Sequence, residues 1–385
     1  MSAASSDSAA AAAKRPIEPS IAGPSPPAKL QRPSHPAPSL AEVPGDAANG
    51  GEAAGVKSEE MAGALNPRAQ RYLVAVEYVG TRFSGSQQQP NQRTVVGVLE
   101  EAFHKFIGQP VSIFCSSRTD AGVHALSNVC HVDVERISKR KPGEVLPPHE
   151  AGVVKRAVNH FLQKNECDIM VTDVRCVAPD FHARYKALER TYHYRLLSGS
   201  EPLSVFEKTS AWHVPENLNV QAMKKACSIL VGHHDFSSFR AAGCQANSPM
   251  RTLDELTVTE VFPSMFFPSS LERSEMESSD GTLVYSRTLI VESSGKGSDA
   301  SSTARDGQEF GKRLRHRCYV VTARARSFLY HQVRLMVGLL KSVGTGDLTT
   351  ADAERILNSK TVTAAPPMAP ACGLYLANVK YDPSV

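Results

Sequence analysis

Tyr72, Val74, Val76 and Tyr78 alternate with Leu73, Ala75 and Glu77, a period of two that predicts a β-strand. A loop rich in Gly, Gln and Pro follows over 80–91. Thr94 then opens a helix that places Val96, Leu99, Phe103 and Phe106 on one face and closes at Gly108. Short strands are predicted over 111–115 and 129–134, with a polar loop between them. Pro147 and Pro148 precede a second helix over 151–164, with Val154, Ala157, Val158, Phe161 and Leu162 turned inward. Residues 168–176 and 187–197 read as strands. The second half has a similar alternation: a helix over 219–231 with Val220, Met223, Cys227 and Leu230 inward, and a strand over 251–261. After a Ser-rich stretch come a strand over 317–323 and a helix over 329–343 with Val333, Met336, Val337 and Leu340 inward. Strands and helices mix in both halves with few strand–helix–strand units, so the expected fold is α+β, two similar halves sharing one sheet. No residue pattern repeats between them.

Composition narrows the folded part. Residues 1–66 hold 17 Ala, 9 Pro, 9 Ser and 6 Gly and no aromatic residue, too little apolar surface to offset the entropy of ordering, so a disordered tail is expected. Residues 264–313, with 12 Ser in 50 positions, are expected to form a disordered insert looping outward. What is left carries 32 basic against 24 acidic side chains, a net charge of +8 that suits a polyanionic partner. No apolar run is long enough for a membrane-spanning helix. The 8 cysteines form no Cys-x-x-Cys pair, and no secretory segment follows Met1, so neither a zinc site nor a disulfide framework is indicated and an intracellular, reduced setting is expected.

The loop joining the strands that end at Cys115 and begin near Val129 contains Arg118-Thr119-Asp120-Ala121-Gly122-Val123-His124-Ala125. An Asp in such a loop is ordinarily a turn former, bonded to nearby backbone amides. Here Arg118 and His124 bracket it on a loop held between two apolar strands, where site residues tend to lie. The same octapeptide resembles the catalytic motif of the TruA-type tRNA pseudouridine synthase family. Further matches follow in the family's order: Phe181-His182-Ala183-Arg184-Tyr185 with Arg190-Thr191-Tyr192-His193-Tyr194, then 232–240 continued by Pro249-Met250-Arg251-Thr252. The last are Ser327-Phe328-Leu329-Tyr330-His331-Gln332-Val333-Arg334 with Gly338, and the closing Gly373-Leu374-Tyr375-Leu376. Ser116-Ser117 before Arg118 and the Tyr330-His331-Gln332 spelling look most like the animal tRNA pseudouridine synthase-like branch.

The resemblance implies two RRM-like α/β sandwich halves, 67–180 with the catalytic loop and 181–385, sharing a mixed, largely antiparallel sheet around a central basic active-site cleft. It implies isomerisation of uridine to pseudouridine in tRNA, on the 3′ side of the anticodon stem-loop, without cofactor or metal. The reaction breaks the N1–C1′ bond and rejoins the ring through C5, and one carboxylate is enough to begin it. An aspartate, with an ordinary pKa of about 3.9, is ionised at neutral pH without an activating base. Asp120 is the expected catalytic residue, acting at C1′, on the base or through a glycal. Arg334, crowded by Val333, Leu335, Met336 and Val337, is assigned as its counter-charge. A guanidinium can grip a carboxylate with two parallel bonds and does not deprotonate. Tyr192 is expected to stack on the extruded uracil and Arg118 to fill the vacated place in the RNA. The plainer role for Arg118 is an ion pair with Asp120. Arg184, Lys186, Arg190, Arg240 and Arg251 are candidate phosphate contacts, each as readily a solvated strand edge. Thr119, Gly122 and His124 are expected to hold the loop, His124 through a hydrogen bond.

Two departures from the family pattern stand out. Ser86 follows Gly85 where the family commonly has Trp, and Ser117 replaces a usual Gly; both are expected on the RNA-facing rim. The expected partners are tRNA and other structured RNA, with a homodimer carried over from the resemblance; nucleus, cytoplasm and mitochondrion stay open. The alternative function is a non-catalytic RNA-binding or RNA-folding protein on the same fold, and a more distant one a hydrolase that would release free uracil.

Overall fold

The computed structural model describes residues 68–141, 143–165, 168–261 and 316–383; the Ala/Pro/Ser-rich tail and the Ser-rich insert lie outside them. Among the described residues one large sheet contains β1 (Gln70–Tyr78), β2 (Ile113–Cys115), β3 (His124–Val134), β4 (Ile169–Val177), β5 (Glu189–Ser198), β6 (Trp212–Val214), β7 (Gly232–Asp235), β8 (Met250–Val261), β9 (Arg317–Ala325) and β10 (Leu374–Lys380). The strands run in the order β4-β1-β3-β10-β5-β9-β8-β7, with β2 beside β3 and β6 beside β5. Neighbours are antiparallel except β3 with β10 and β5 with β6. The α+β class and the mostly antiparallel sheet are therefore present.

Among the described residues five α-helices accompany the sheet: α1 (Val95–Ile107), α2 (Ala151–Asn165), α3 (Val220–Leu230), α4 (Gln332–Thr345) and α5 (Thr350–Ser359). Thr94 caps α1 by accepting from Gly97 N–H, and Gly108 closes it in the left-handed region at φ 85°. The apolar packing among the described residues falls into two large clusters, beside a small third of Leu197, Ala211 and Cys318. One joins Tyr72, Val74 and Val76 of β1 to Leu99 and Phe103 of α1 and Val158 and Leu162 of α2. The other joins Leu196, Tyr319 and Val321 to Met223 and Leu230 of α3, Met336 and Leu340 of α4 and Ile356 of α5. Each such fully buried large side chain contributes on the order of 1.5–3 kcal/mol. Tyr192, on β5, packs against both clusters.

β3 starts at His124, five residues before the apolar run that predicts it. Its first half contains Ser127 and the fully buried Asn128, and this buried polar position breaks the apolar alternation. α4 starts at Gln332 rather than 329, because His331 at φ 62° is a left-handed residue outside the helix. α5, β6, β7 and β10 are additions to the predicted set. α5 has a reciprocal Thr349–Asp352 capping box ahead of buried Ala353, Ile356 and Leu357, a start signal present in the sequence.

Candidate active site

The parallel pairing of β3 and β10, in register at Tyr375–His124 and Leu376–Ala125, brings the segments preceding both strands to one end of the sheet. Ahead of β3 lies the loop with Asp120. Its carbonyl accepts from Val123 N–H at 3.1 Å, a four-residue turn whose third residue, Gly122, sits at φ 79°, where an L side chain is strained. Thr119 is buried and fixed on both sides: its N–H donates to Ser86 Oγ at 2.8 Å and its carbonyl accepts from Ser86 N–H at 3.0 Å. Asn128 lies underneath, donating to Tyr78 Oη and to the Ser117 carbonyl, each at 3.2 Å. The Tyr78 hydroxyl and Thr119 Oγ1 share a further hydrogen bond at 2.8 Å.

Ser86 is thus buried beneath the Asp120 loop, not on an exposed rim: a small hydroxyl stands there because its partners are the backbone atoms of Thr119. His124 accepts from Gly80 N–H through Nδ1 at 3.1 Å, so Nε2 carries the hydrogen that meets the Thr209 carbonyl at 3.1 Å. Its ring stacks on Tyr375 with centroids 4.6 Å apart, and burial holds its pKa below the ordinary histidine value.

The Asp120 carboxylate meets two groups from the start of α4. Arg334 Nη1 lies 3.4 Å and His331 Nε2 3.2 Å from the same oxygen, Oδ2. The Arg334 contact is single and long, not a two-pronged grip. Its Nε is committed elsewhere, donating to the Ala369 carbonyl at 2.8 Å, while Ala369 N–H donates back to the Arg334 carbonyl at 3.1 Å. Gly338 makes that exchange possible: a Cβ there would lie 2.3 Å from the Pro367 carbonyl oxygen, so any other residue would push the 367–369 segment off α4. The Arg334 side chain is 11% exposed and that of Asp120 26%, an acid with an open side and a counter-charge with almost none. His331 has its pKa lowered, chiefly by burial; Asp120 opposes that and Arg334 adds to it. It therefore meets the carboxylate as a neutral N–H donor. Sequence reasoning gave His331 no role, although it stands inside the matched motif.

Tyr192 packs edge-on against Phe328, with centroids 5.2 Å apart. Its hydroxyl is pushed up to about 12 by burial, with Arg190 opposing and the Asp120 carboxylate adding, so it stays protonated at neutral pH. Among the described residues, Arg118 makes no ion pair with Asp120; it is exposed and reaches Gln245 Oε1 at 3.5 Å. Arg240 holds the loop that carries Gln245, donating to the Cys244 and Ala246 carbonyls. Arg251 donates to the Ser248 and Met250 carbonyls. Arg190 departs furthest from a phosphate contact. It is 8% exposed and donates to the carbonyls of Ser116, Arg184, Ala187 and Arg326. Arg184 and Lys186 are exposed. No group of three or more His, Cys, Asp or Glu side chains with metal-site geometry occurs among the described residues.

A family model described as tRNA pseudouridine synthase matches residues 74–186 and 226–382. The chain belongs to the tRNA pseudouridine synthase family. tRNA pseudouridine synthase A of Rhodospirillum centenum is 38% identical over 312 residues, covering 81% of this chain and 100% of the relative. The protein of that name from a Methylobacterium species is 38% identical over 311 residues, covering 81% and 97%. That of Paramagnetospirillum magneticum is 36% identical over 314 residues, covering 82% and 96%. Pseudouridine synthases are isomerases; Asp120, His331 and Arg334 lie within the matched residues, and Tyr192 lies between the two matched stretches. No helix among the described residues is long and apolar enough to cross a membrane.

Proposed function

We propose that this chain isomerises uridine to pseudouridine in tRNA, on the 3′ side of the anticodon stem-loop, with Asp120 as the catalytic carboxylate. One observation carries the assignment. Asp120 sits on a loop fixed by Ser86, Tyr78 and Asn128, and its Oδ2 is met by Arg334 and His331, both from the α4 terminus. A carboxylate so positioned meets the reacting base without reorganising, the condition under which fixed charge lowers a barrier most. The N1–C1′ bond breaks, C5 bonds to C1′, the C5 proton leaves to solvent and N1 gains one, so the RNA mass is unchanged. Tyr192, protonated and beside the acid, supplies a ring face for the uracil, and Arg118 a flat cation for the place it vacates. The two apolar clusters support a reading of two similar halves about a basic cleft. A homodimer and intracellular residence belong to the same reading. The Ser116-Ser117 pair and the Tyr330-His331-Gln332 spelling support a place near the animal branch, although the relatives named above are bacterial.

The test is tritium release from tRNA labelled at uridine C5. Wild type should release tritium, and Asp120→Asn should lose at least about 10³-fold in kcat while binding tRNA as before. Wild type without release, or equal release from Asp120→Asn, refutes the assignment. Free uracil and abasic RNA by mass spectrometry would instead identify a hydrolase.

A further inference from the structure

An aromatic cluster outside the Asp120 group lies beside the catalytic loop. Phe114 on β2 is 52% exposed and Tyr185 44% exposed. Phe114 pairs with His131 across the sheet and stacks on its ring, with centroids 5.2 Å apart and planes 16° apart. His182 packs 4.6 Å from His131 and 4.3 Å from Tyr185, so the rings form one continuous ledge. The Arg184 guanidinium lies 5.8 Å from the Tyr185 ring centre, and Lys186 is the next cation along the chain.

The ledge is coupled to the site through one side chain. Arg190 Nη2 donates both to the Arg184 carbonyl, at 2.9 Å, and to the Ser116 carbonyl, at 3.0 Å. The segment carrying Tyr185 and the first residue of the catalytic loop are therefore pinned by the same nitrogen, and β2 runs straight into that loop. Water-exposed rings interleaved with cations match single-stranded nucleic acid, whose bases stack on aromatic faces while Arg and Lys meet the phosphates. A protein interface core, by contrast, is depleted of lysine.

We propose that Phe114 and Tyr185 form a stacking platform for unpaired bases of the RNA substrate flanking the target uridine, with Arg184 and Lys186 on the adjoining phosphates. This rests on the assignment of tRNA as substrate and deepens it: the platform holds the strand from which Asp120's uridine has been extruded.

The experiment uses the full chain, an unmodified tRNA transcript and the double variant Phe114→Leu/Tyr185→Leu, which keeps apolar cover over His131 and removes the rings. Tyr185→Phe keeps a ring and is the control, and thermal melting checks that each variant is folded. The Kd and KM of the double variant should rise about 10- to 100-fold, with the loss falling on these rather than on kcat, while Tyr185→Phe stays within about threefold of wild type. With 2-aminopurine at an unpaired position beside the target, fluorescence should be quenched by wild type and recover with the double variant. Unchanged Kd and quenching in a tRNA-binding wild type overturn the platform and leave the Asp120 assignment standing. A fall in kcat alone also overturns it, since the rings would then brace the loop. So does a changed sedimentation coefficient at unchanged Kd, which would make the patch a protein contact. A wild type that binds no tRNA refutes the substrate assignment itself.

Discussion

Apart from the lysine at 186, nothing in the sequence sets Arg190, Arg240 and Arg251 apart from Arg118, Arg184 and Lys186, yet the structure treats the two groups in opposite ways. The first three give their guanidiniums to backbone carbonyls: Arg190 to four residues, Arg240 to Cys244 and Ala246, Arg251 to Ser248 and Met250. The second three are exposed; Arg118 has the long Gln245 contact, and Lys186 lies 4.0 Å from Asp180. A cation that spends donors on carbonyls fixes loops and has fewer left for a phosphate; Arg190 does so through both Nη atoms, Arg240 through Nη2 and Arg251 through Nη1. An exposed cation fixes nothing and keeps its donors for a ligand. The segments around the acid are thus braced by arginines bound to backbone, and the proposed RNA contacts fall to side chains at the surface.

Arg190→Met separates the two uses most sharply. It takes a donor from the carbonyls of Ser116, Arg184, Ala187 and Arg326, and the unfolding free energy should fall by about 3–5 kcal/mol. The check is a urea titration in which the midpoint falls and the slope does not. An unchanged midpoint with weakened RNA binding would move Arg190 into the exposed group and break the comparison.

A second, smaller effect belongs to the same braced region. His131 accepts from Ala183 N–H through Nδ1 at 3.2 Å and is buried under Phe114 and His182. Burial above all, then His182 and Arg71, lowers its pKa to about 4, with Asp133 opposing. The unfolded chain takes up this proton near pH 6.5 and the folded chain only near 4, so the unfolded state binds more protons between those values. The contribution is complete above about pH 6.5 and declines as the pH falls toward 4, by up to about 3 kcal/mol. His131→Gln should flatten the dependence of unfolding free energy on pH across that window. An unchanged slope would remove His131 from the bracing.

These differences mark where sequence reasoning stops. Asp120, Tyr192 and Arg334 were legible as members of separated motifs, and the α1 boundaries followed from Thr94 and Gly108. The start of β3 was hidden because Asn128 is a polar residue buried for its bonds to Tyr78 and Ser117. Ser86 beneath the Asp120 loop was hidden for the same reason: tertiary hydrogen bonds leave no periodic trace. His331 stood inside a recognised motif, but its contact with Asp120 depends on a left-handed backbone residue ahead of α4, which the residue type does not announce. Arg190 among backbone carbonyls and Arg184 in solvent spell the same letter.

The smallest effect tests the exposed side of the comparison. Arg184→Ala and Lys186→Ala remove cations with no buried partner, so each should leave the unfolding free energy within about 0.5 kcal/mol of wild type. A protein that meets one phosphate fewer releases one counterion fewer on binding. The slope of log Kd for tRNA against log salt should therefore shrink by about one per variant, with affinity falling alike for matched and unmatched RNA sequences. Measuring Kd at several salt concentrations distinguishes this from a structural role, because a missing brace changes Kd without changing its salt slope. Either variant lowering the urea midpoint while keeping the wild-type slope would show that exposure had misled and that the residue works, like Arg190, from the protein side of the loop.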